Sequence, residues 1–450
     1  MNRYRSNLLN RRHLLELAVV ITAAATHPKS AAFTPIPPLP AATPLALRVL
    51  HSAALRPNFQ APSLLYDENK HRQKKIVRSY SSLSSTSGDQ NMDKIQYIRP
   101  YLKQLFLLCR PVNFPIVALF HVLGVHQAVQ LWASNSSLPT SSLLLSLLKH
   151  PSMLVVLLSL LLVTSTSMIT NDYYDAKYGV DSTDNKASDE ERNHYHPLAW
   201  GDVPFSITKT FDSYLYAILL LSSAFVPGVV SRLLVLGGAI ITYLYTAHLK
   251  PKTWIKNLSC AALVGMSPVT SGLAAWHVLC RGGVETATVG TLPFHLIFMS
   301  PLSFLVLTLF AGIMGREILM DITDYDGDSK AGIQTIPVKY GKNVAAFVAL
   351  ACSCVSSISA CTASLLPCIM RLVEGEQSLQ SLIGMPSLAS LPALLSNHEV
   401  RKVMLAVAGS GMFLQRAFSV WKTNGDDANL ADRAVGDSII SVVLALASFV

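Results

Sequence analysis

Met153 to Ile169 is a run of 17 residues without a single charge, and it ends in Asn171-Asp172-Tyr173-Tyr174-Asp175. A stretch like this is built to cross a bilayer: about 20 apolar residues span the hydrocarbon layer, and a helix satisfies its own backbone polar groups there. Eight more runs follow the same logic, at Phe114–Trp132, Tyr214–Val230, Leu233–Thr246, Leu258–Leu279, Phe294–Met314, Val344–Met370, Val403–Val420 and Ser438–Val450. The last has only 13 residues and is short for a span. Leu382–Leu395, broken by Pro386 and Pro392, reads as interfacial. Only 14% of the chain is charged, against roughly 25% in soluble proteins. The expected fold is an all-α membrane protein, with about nine transmembrane helices around a central cavity and residues 100–450 as one domain.

The formal charge of +9 does not imply a nucleic-acid partner. Residues 1–80 hold 12 of the 36 Lys and Arg but 3 of the 27 acidic residues, so the rest of the chain is neutral. Residues 1–90 read as an address rather than a fold. Arg11 and Arg12 precede a short apolar run, Leu14–Ala25, and a Ser-Ala-Ala-Phe string follows at Ser30–Phe33. The run has the length of a signal-peptide core, and the Ser-, Pro- and Arg-rich stretch beyond it has transit-peptide composition. The string resembles the cleavage motif of bipartite plastid leaders, which implies a plastid membrane, thylakoid or inner envelope, over the mitochondrial inner membrane. The seven cysteines, at positions 109, 260, 280, 352, 354, 361 and 368, form no paired framework and read as packing residues.

Two acidic clusters sit at the ends of apolar runs. In the first, Asn171 and Asp175 are four apart and share a helical face, whereas Asp172 is expected to point elsewhere, toward the loop. Gly179 ends the helix, which allows Asp181 and Asp184 to fold back toward the same mouth. In the second, Asp321, Asp324 and Asp328 are spaced three and four apart, with Arg316 and Glu317 placed to pair beside them. Acidic groups this close repel one another without a cation. Hard oxygen ligands suit magnesium, which takes one or two carboxylates plus substrate phosphates. The two clusters are expected to face each other across a cavity holding magnesium and a diphosphate.

A basic segment lies between them, with Lys250 and Lys252 flanking Pro251, then Lys256 and Asn257. Fixed cations there would stabilise the negative charge that develops on a departing diphosphate. The plainer reading is interfacial anchoring, and Lys256 is weighted below Lys250 and Lys252. Arg110-Pro111, at the head of the first run, carries the same ambiguity.

From about Arg110 to the C-terminus the chain resembles the UbiA-superfamily intramembrane prenyltransferases. The resemblance rests on Asn171-Asp172-Tyr173-Tyr174-Asp175 with Asp181 beyond it, on the Leu249-Lys250-Pro251-Lys252 segment, and on Asp321-Ile322-Thr323-Asp324-Tyr325-Asp326-Gly327-Asp328. The first spacing is similar to menaquinone-type members. The second motif resembles the chlorophyll synthase and archaeal-lipid branches. His196 stands where many members carry Arg. The resemblance implies a magnesium-dependent prenyltransferase. It would move an isoprenoid chain from a prenyl diphosphate donor to a hydrophobic or aromatic acceptor, in contact with membrane lipid, in prenylquinone or chlorophyll synthesis. It places Asn171, Asp175, Asp324, Asp328 and Lys250 in catalysis. Asn171, Asp175, Asp181, Asp321, Asp324 and Asp328 would bind the metal, and Arg110, Asp181, Lys250, Lys252, Asn257 and Asp321 the substrate. The competing reading from another class is a multi-span transporter with acidic residues along its pathway.

Overall fold

The computed structural model describes residues 99–133, 140–178, 197–198, 201–244, 254–281, 301–330, 332–373 and 398–450. The leader, Asp181, Asp184, His196, Lys250, Lys252 and the run Leu382–Leu395 lie outside the described residues. Among the described residues the structure is helical throughout, apart from turns and an isolated bridge residue.

The helices are α1 (Leu102–Leu108), α2 (Phe114–Ala133), α3 (Thr140–Leu148), α4 (Pro151–Tyr178), α5 (Phe205–Ser223) and α6 (Val229–Leu244). They continue with α7 (Ile255–Arg281), α8 (Pro301–Thr323), α9 (Tyr325–Lys330), α10 (Ile336–Tyr340), α11 (Lys342–Val373), α12 (His398–Lys422) and α13 (Ala428–Ala447). Each of the nine expected runs overlaps a helix, but six of these helices are both long and apolar enough to cross a membrane: α2, α4, α7, α8, α11 and α12. The expectation of nine spans is therefore met in part, by six candidate spans among the described residues. The physical reasons differ. The helix α6 has 16 described residues. Polar and charged residues dilute the other two, Lys209 and Asp212 in α5 and Asp432, Arg433 and Asp437 in α13. The short terminal run is the second half of α13, which begins at an Asp427 cap whose side chain accepts from the Asn429 and Leu430 N–H groups.

Helices α4 to α8 run up and down in sequence order. Ser159 meets Ser222 and Thr170 meets Asp212, so α4 and α5 are antiparallel. Tyr216, just past the middle of α5, meets Thr242, late in α6. Gly228 faces His277 and Gly238 faces Leu263, which reverses α7 against α6. Asn257, at the start of α7, then meets Asp321, at the end of α8. Two reversals separate α4 from α6, and two more separate α6 from α8. The acidic C-terminal ends of α4 and α8 therefore emerge on the same side of the bundle. The second half repeats the pattern: Ser359 donates to the Phe304 carbonyl and Ser356 to the Thr308 carbonyl, and Arg416 pairs with Asp437.

Helices α2 and α7 cross in close contact. A Cβ at Gly124 would collide with the Pro268 carbonyl, and one at Gly272 would stand 3.0 Å from the Gly124 oxygen. Small residues let two backbones approach where no hydrophobic effect drives helices together. Around this crossing Leu119, Leu123, Val269, Leu273, Leu305 and Leu309 form one apolar cluster with the C-terminal Val442 and Leu446.

Candidate active site

The first cluster forms as its spacing predicts. Asn171 Nδ2 donates to Asp175 Oδ2 at 2.8 Å, one turn apart on the last stretch of α4. Asp175 is 7% exposed. Asp172 departs from the expectation. It does not point to the loop; it is buried and paired at 2.7 Å with Arg110, 62 residues earlier. Arg110 adopts φ 49°, ψ 63°, a left-handed conformation directly before Pro111. Non-glycine residues held there store about 1–3 kcal/mol and persist only when surrounding contacts impose them. Here the Asp172 carboxylate is such a contact, and Arg110 thereby becomes a fixed cation at the mouth of the first cluster.

The second cluster sits where α8 passes into α9. Asp324 N–H donates to the Met320 carbonyl and Asp328 N–H to the Asp324 carbonyl, so the one-turn repeat carries through the junction. Asp321, Asp324 and Asp328 consequently keep a common side, as expected. Asp321 is fully buried and both of its oxygens are engaged, one by Lys256 Nζ at 2.6 Å and the other by Asn257 Nδ2 at 2.9 Å. Two donors from the first turn of α7 thus neutralise and orient it. Asp324 is exposed and Asp328 is buried. Burial pushes the Asp328 carboxyl up to about 6 against the pull of Lys256, with Asp321 and Asp324 adding to the rise. Arg316 pairs with Glu317 at 2.8 Å, as expected.

Lys256 is the residue that sequence reasoning underweighted. A lysine at a helix start looks like an interfacial anchor, and its partner lies 65 residues away. The one available signal was its adjacency to Asn257. Lys250, Lys252 and Asp181 fall outside the described residues, so the site is built here from Arg110, Asn171, Asp175, Lys256, Asn257, Asp321, Asp324 and Asp328.

Among the described residues, no three His, Cys, Asp or Glu side chains converge on one point as a metal cage. Two oxygens nevertheless fit a cation. Asp328 Oδ2 and Asn257 Oδ1 are buried without a hydrogen-bond partner. An unpaired buried carboxylate oxygen is costly, and a hard cation completed by substrate phosphates would satisfy it. Chemically, the arrangement offers the Asp328 carboxylate oxygen and the Asn257 amide oxygen for such a cation, with Arg110 and Lys256 as fixed positive charges for an anionic ligand.

The sequence pattern of the UbiA prenyltransferase family matches residues 111–375, more than half of the chain. The chain belongs to that family. It is a prenyltransferase embedded in a membrane. The family match also removes the transporter reading.

A digeranylgeranylglyceryl phosphate synthase from Thermococcus sibiricus is 26% identical over 266 residues, covering 59% of this chain and 77% of that protein. One from Pyrococcus abyssi is 26% identical over 194 residues, 43% of this chain and 58% of that protein. A solved structure of a digeranylgeranylglyceryl phosphate synthase superposes with a TM-score of 0.50 at 19% identity, covering 77% of this chain and 96% of that chain. Both sequence relatives are named digeranylgeranylglyceryl phosphate synthases. They lend no support to the chlorophyll synthase and quinone-type branches that part of the motif pattern resembles.

Proposed function

We propose that this chain transfers an isoprenoid group from an allylic prenyl diphosphate to the hydroxyl of a glycerophosphate-type lipid acceptor, with magnesium as the cation. One observation carries the proposal. The acidic ends of α4 and α8 share one side of the bundle, and each is balanced by a fixed cation, Arg110 on Asp172 and Lys256 on Asp321. The names of the relatives support the acceptor class, since each is named for a phosphorylated glyceryl lipid carrying prenyl chains.

In this reading Asn171, Asp175, Asp324 and Asp328 hold the cation, with Asp181 completing the set. Bound there, magnesium neutralises the diphosphate and makes it a better leaving group. Arg110 and Lys256, assisted by Lys250 and Lys252, add fixed positive charge where negative charge grows as the carbon–oxygen bond breaks. Asp321 positions Lys256 and Asn257, because both of its oxygens are occupied by them. The apolar helices around the site exclude water, so the allylic carbon meets the acceptor before it is hydrolysed.

Purified protein with geranylgeranyl diphosphate and magnesium, offered geranylgeranylglyceryl phosphate, homogentisate, dihydroxynaphthoate and chlorophyllide in parallel, tests both parts. Mass spectrometry should find prenylated product with the glyceryl phosphate. Product with an aromatic or tetrapyrrole acceptor alone would restore the prenylquinone or chlorophyll assignment. The plastid assignment rests on residues 1–90 alone, and a fluorescent fusion of that segment should reach a plastid membrane if it holds.

A further inference from the structure

Asp212 is a carboxylate for which the reading above has no use. It lies early in α5 and packs against α4 one residue before the first acidic cluster, where Thr170 Oγ1 donates to its Oδ2 at 3.0 Å. Its other oxygen, Oδ1, is buried and has no hydrogen-bond partner. Among the described residues it forms no ion pair, in contrast to Asp172 and Asp321, whose cations lie within 2.7 Å. Its charge reaches the corner that leads into Arg110: the Cys109 thiol, pushed up to about 11 mainly by burial, is raised further by Asp212. Asp212 therefore stands beside α4 at the residue that precedes Asn171.

The surroundings fix its orientation. Thr170 lies within 3.4 Å of the Tyr216 hydroxyl, which meets Thr242 Oγ1 at 3.1 Å, and Thr242 donates to the Ala239 carbonyl. Thr170, itself beside the Tyr216–Thr242 pair, thus holds the Oδ2 side and leaves Oδ1 as the acceptor without a partner. A buried carboxylate kept without a cation and with one oxygen unsatisfied is unfavourable for stability alone. Such an arrangement is better suited to a group that meets its partner only when substrate arrives.

Prenyl transfer to a hydroxyl releases a proton, and a carboxylate beside the reacting end of the bundle can take it. We propose that Asp212 Oδ1 is the general base that accepts the proton of the acceptor's nucleophilic hydroxyl. The inference rests on the function proposed above. As the donor's C1–O bond breaks, its electron pair leaves with the diphosphate. The acceptor oxygen forms the new C1–O bond, its O–H bond breaks, and the proton moves to Asp212. The carboxylic acid so formed returns the proton to water or to the departing diphosphate before the next turnover. Asp212 also selects acceptors, because a hydroxyl donates to its open oxygen and a group without a proton does not.

The test is Asp212→Asn, which keeps an oxygen for Thr170 and removes the base. Prenyl transfer should fall about 100-fold or more, the usual range for a general base. Equilibrium binding of a labelled thiolodiphosphate analogue of the donor, and magnesium-dependent donor hydrolysis without acceptor, should stay within about twofold of wild type. Asp212→Glu should recover part of the transfer. A merely structural residue would move all three readouts together. Transfer by Asp212→Asn near the wild-type rate, or loss of donor binding in step with transfer, overturns the inference. Wild-type protein that transfers to no acceptor overturns the function reading itself, and this inference with it.

Discussion

Asp321 is fully enclosed, and Lys256 is the charge that makes its burial tolerable. Removing one member of a buried ion pair leaves the other uncompensated, which costs about 3–5 kcal/mol. Lys256→Met should therefore lower the thermal midpoint in detergent as well as abolish turnover. Asp175→Ala and Asp324→Ala should abolish turnover while the protein remains inserted and thermally intact, as assayed by extraction and melting. Arg110 and Asp172 should behave as a coupled pair. A double-mutant cycle on donor binding should return a coupling of about 0.5–3 kcal/mol, as for residues in contact. A coupling near zero would sever the link between the strained backbone at Arg110 and the first cluster. At this scale the sequence was readable where partners are close in the chain: Asn171 with Asp175, Arg316 with Glu317, and the three aspartates of the second cluster. It was unreadable for Asp172 and Lys256, because a helical wheel carries no information about a partner more than 60 residues away.

Among the elements, the crossing of α2 and α7 depends on the missing side chain of Gly124. An added methyl would drive against the Pro268 backbone, which is not a flexible side-chain end. Gly124→Ala should cost about 1–3 kcal/mol, as overpacking does, measured as faster thermal inactivation. Gly237→Ala in α6 is the matched control, since nothing lies within 4 Å of its added Cβ. That substitution should be neutral, or stabilising by about 0.5–1 kcal/mol through the gain in helix propensity. Helix boundaries expose a limit of hydropathy reading. The apolar half of α13 was visible as Ser438–Val450, but Asp432, Arg433 and Asp437 hid its first half. The helix α8 runs past the expected end at Met314, through Asp321 to Thr323. A polar motif within a spanning helix ends an apolar run without ending the helix.

For the molecule as a whole, the proposed cation makes chelation the decisive perturbation. EDTA should abolish transfer and added magnesium should restore it, because Asp328 Oδ2 has no protein partner to replace the metal. Melting should also rise when magnesium and a donor analogue are present together, since ligands that bind only the folded state stabilise it by mass action. The alternation of α4 to α8 has a further consequence for how the protein meets the cell. With both acidic helix ends on one face, the proposed reaction would keep the donor headgroup, the cation and the released diphosphate in a single aqueous compartment. Only the isoprenoid and the lipid portion of the proposed acceptor would then belong to the bilayer. In sealed vesicles of mixed orientation, an impermeant chelator added outside should silence the outward-facing copies alone. The protected remainder would measure which compartment feeds the reaction.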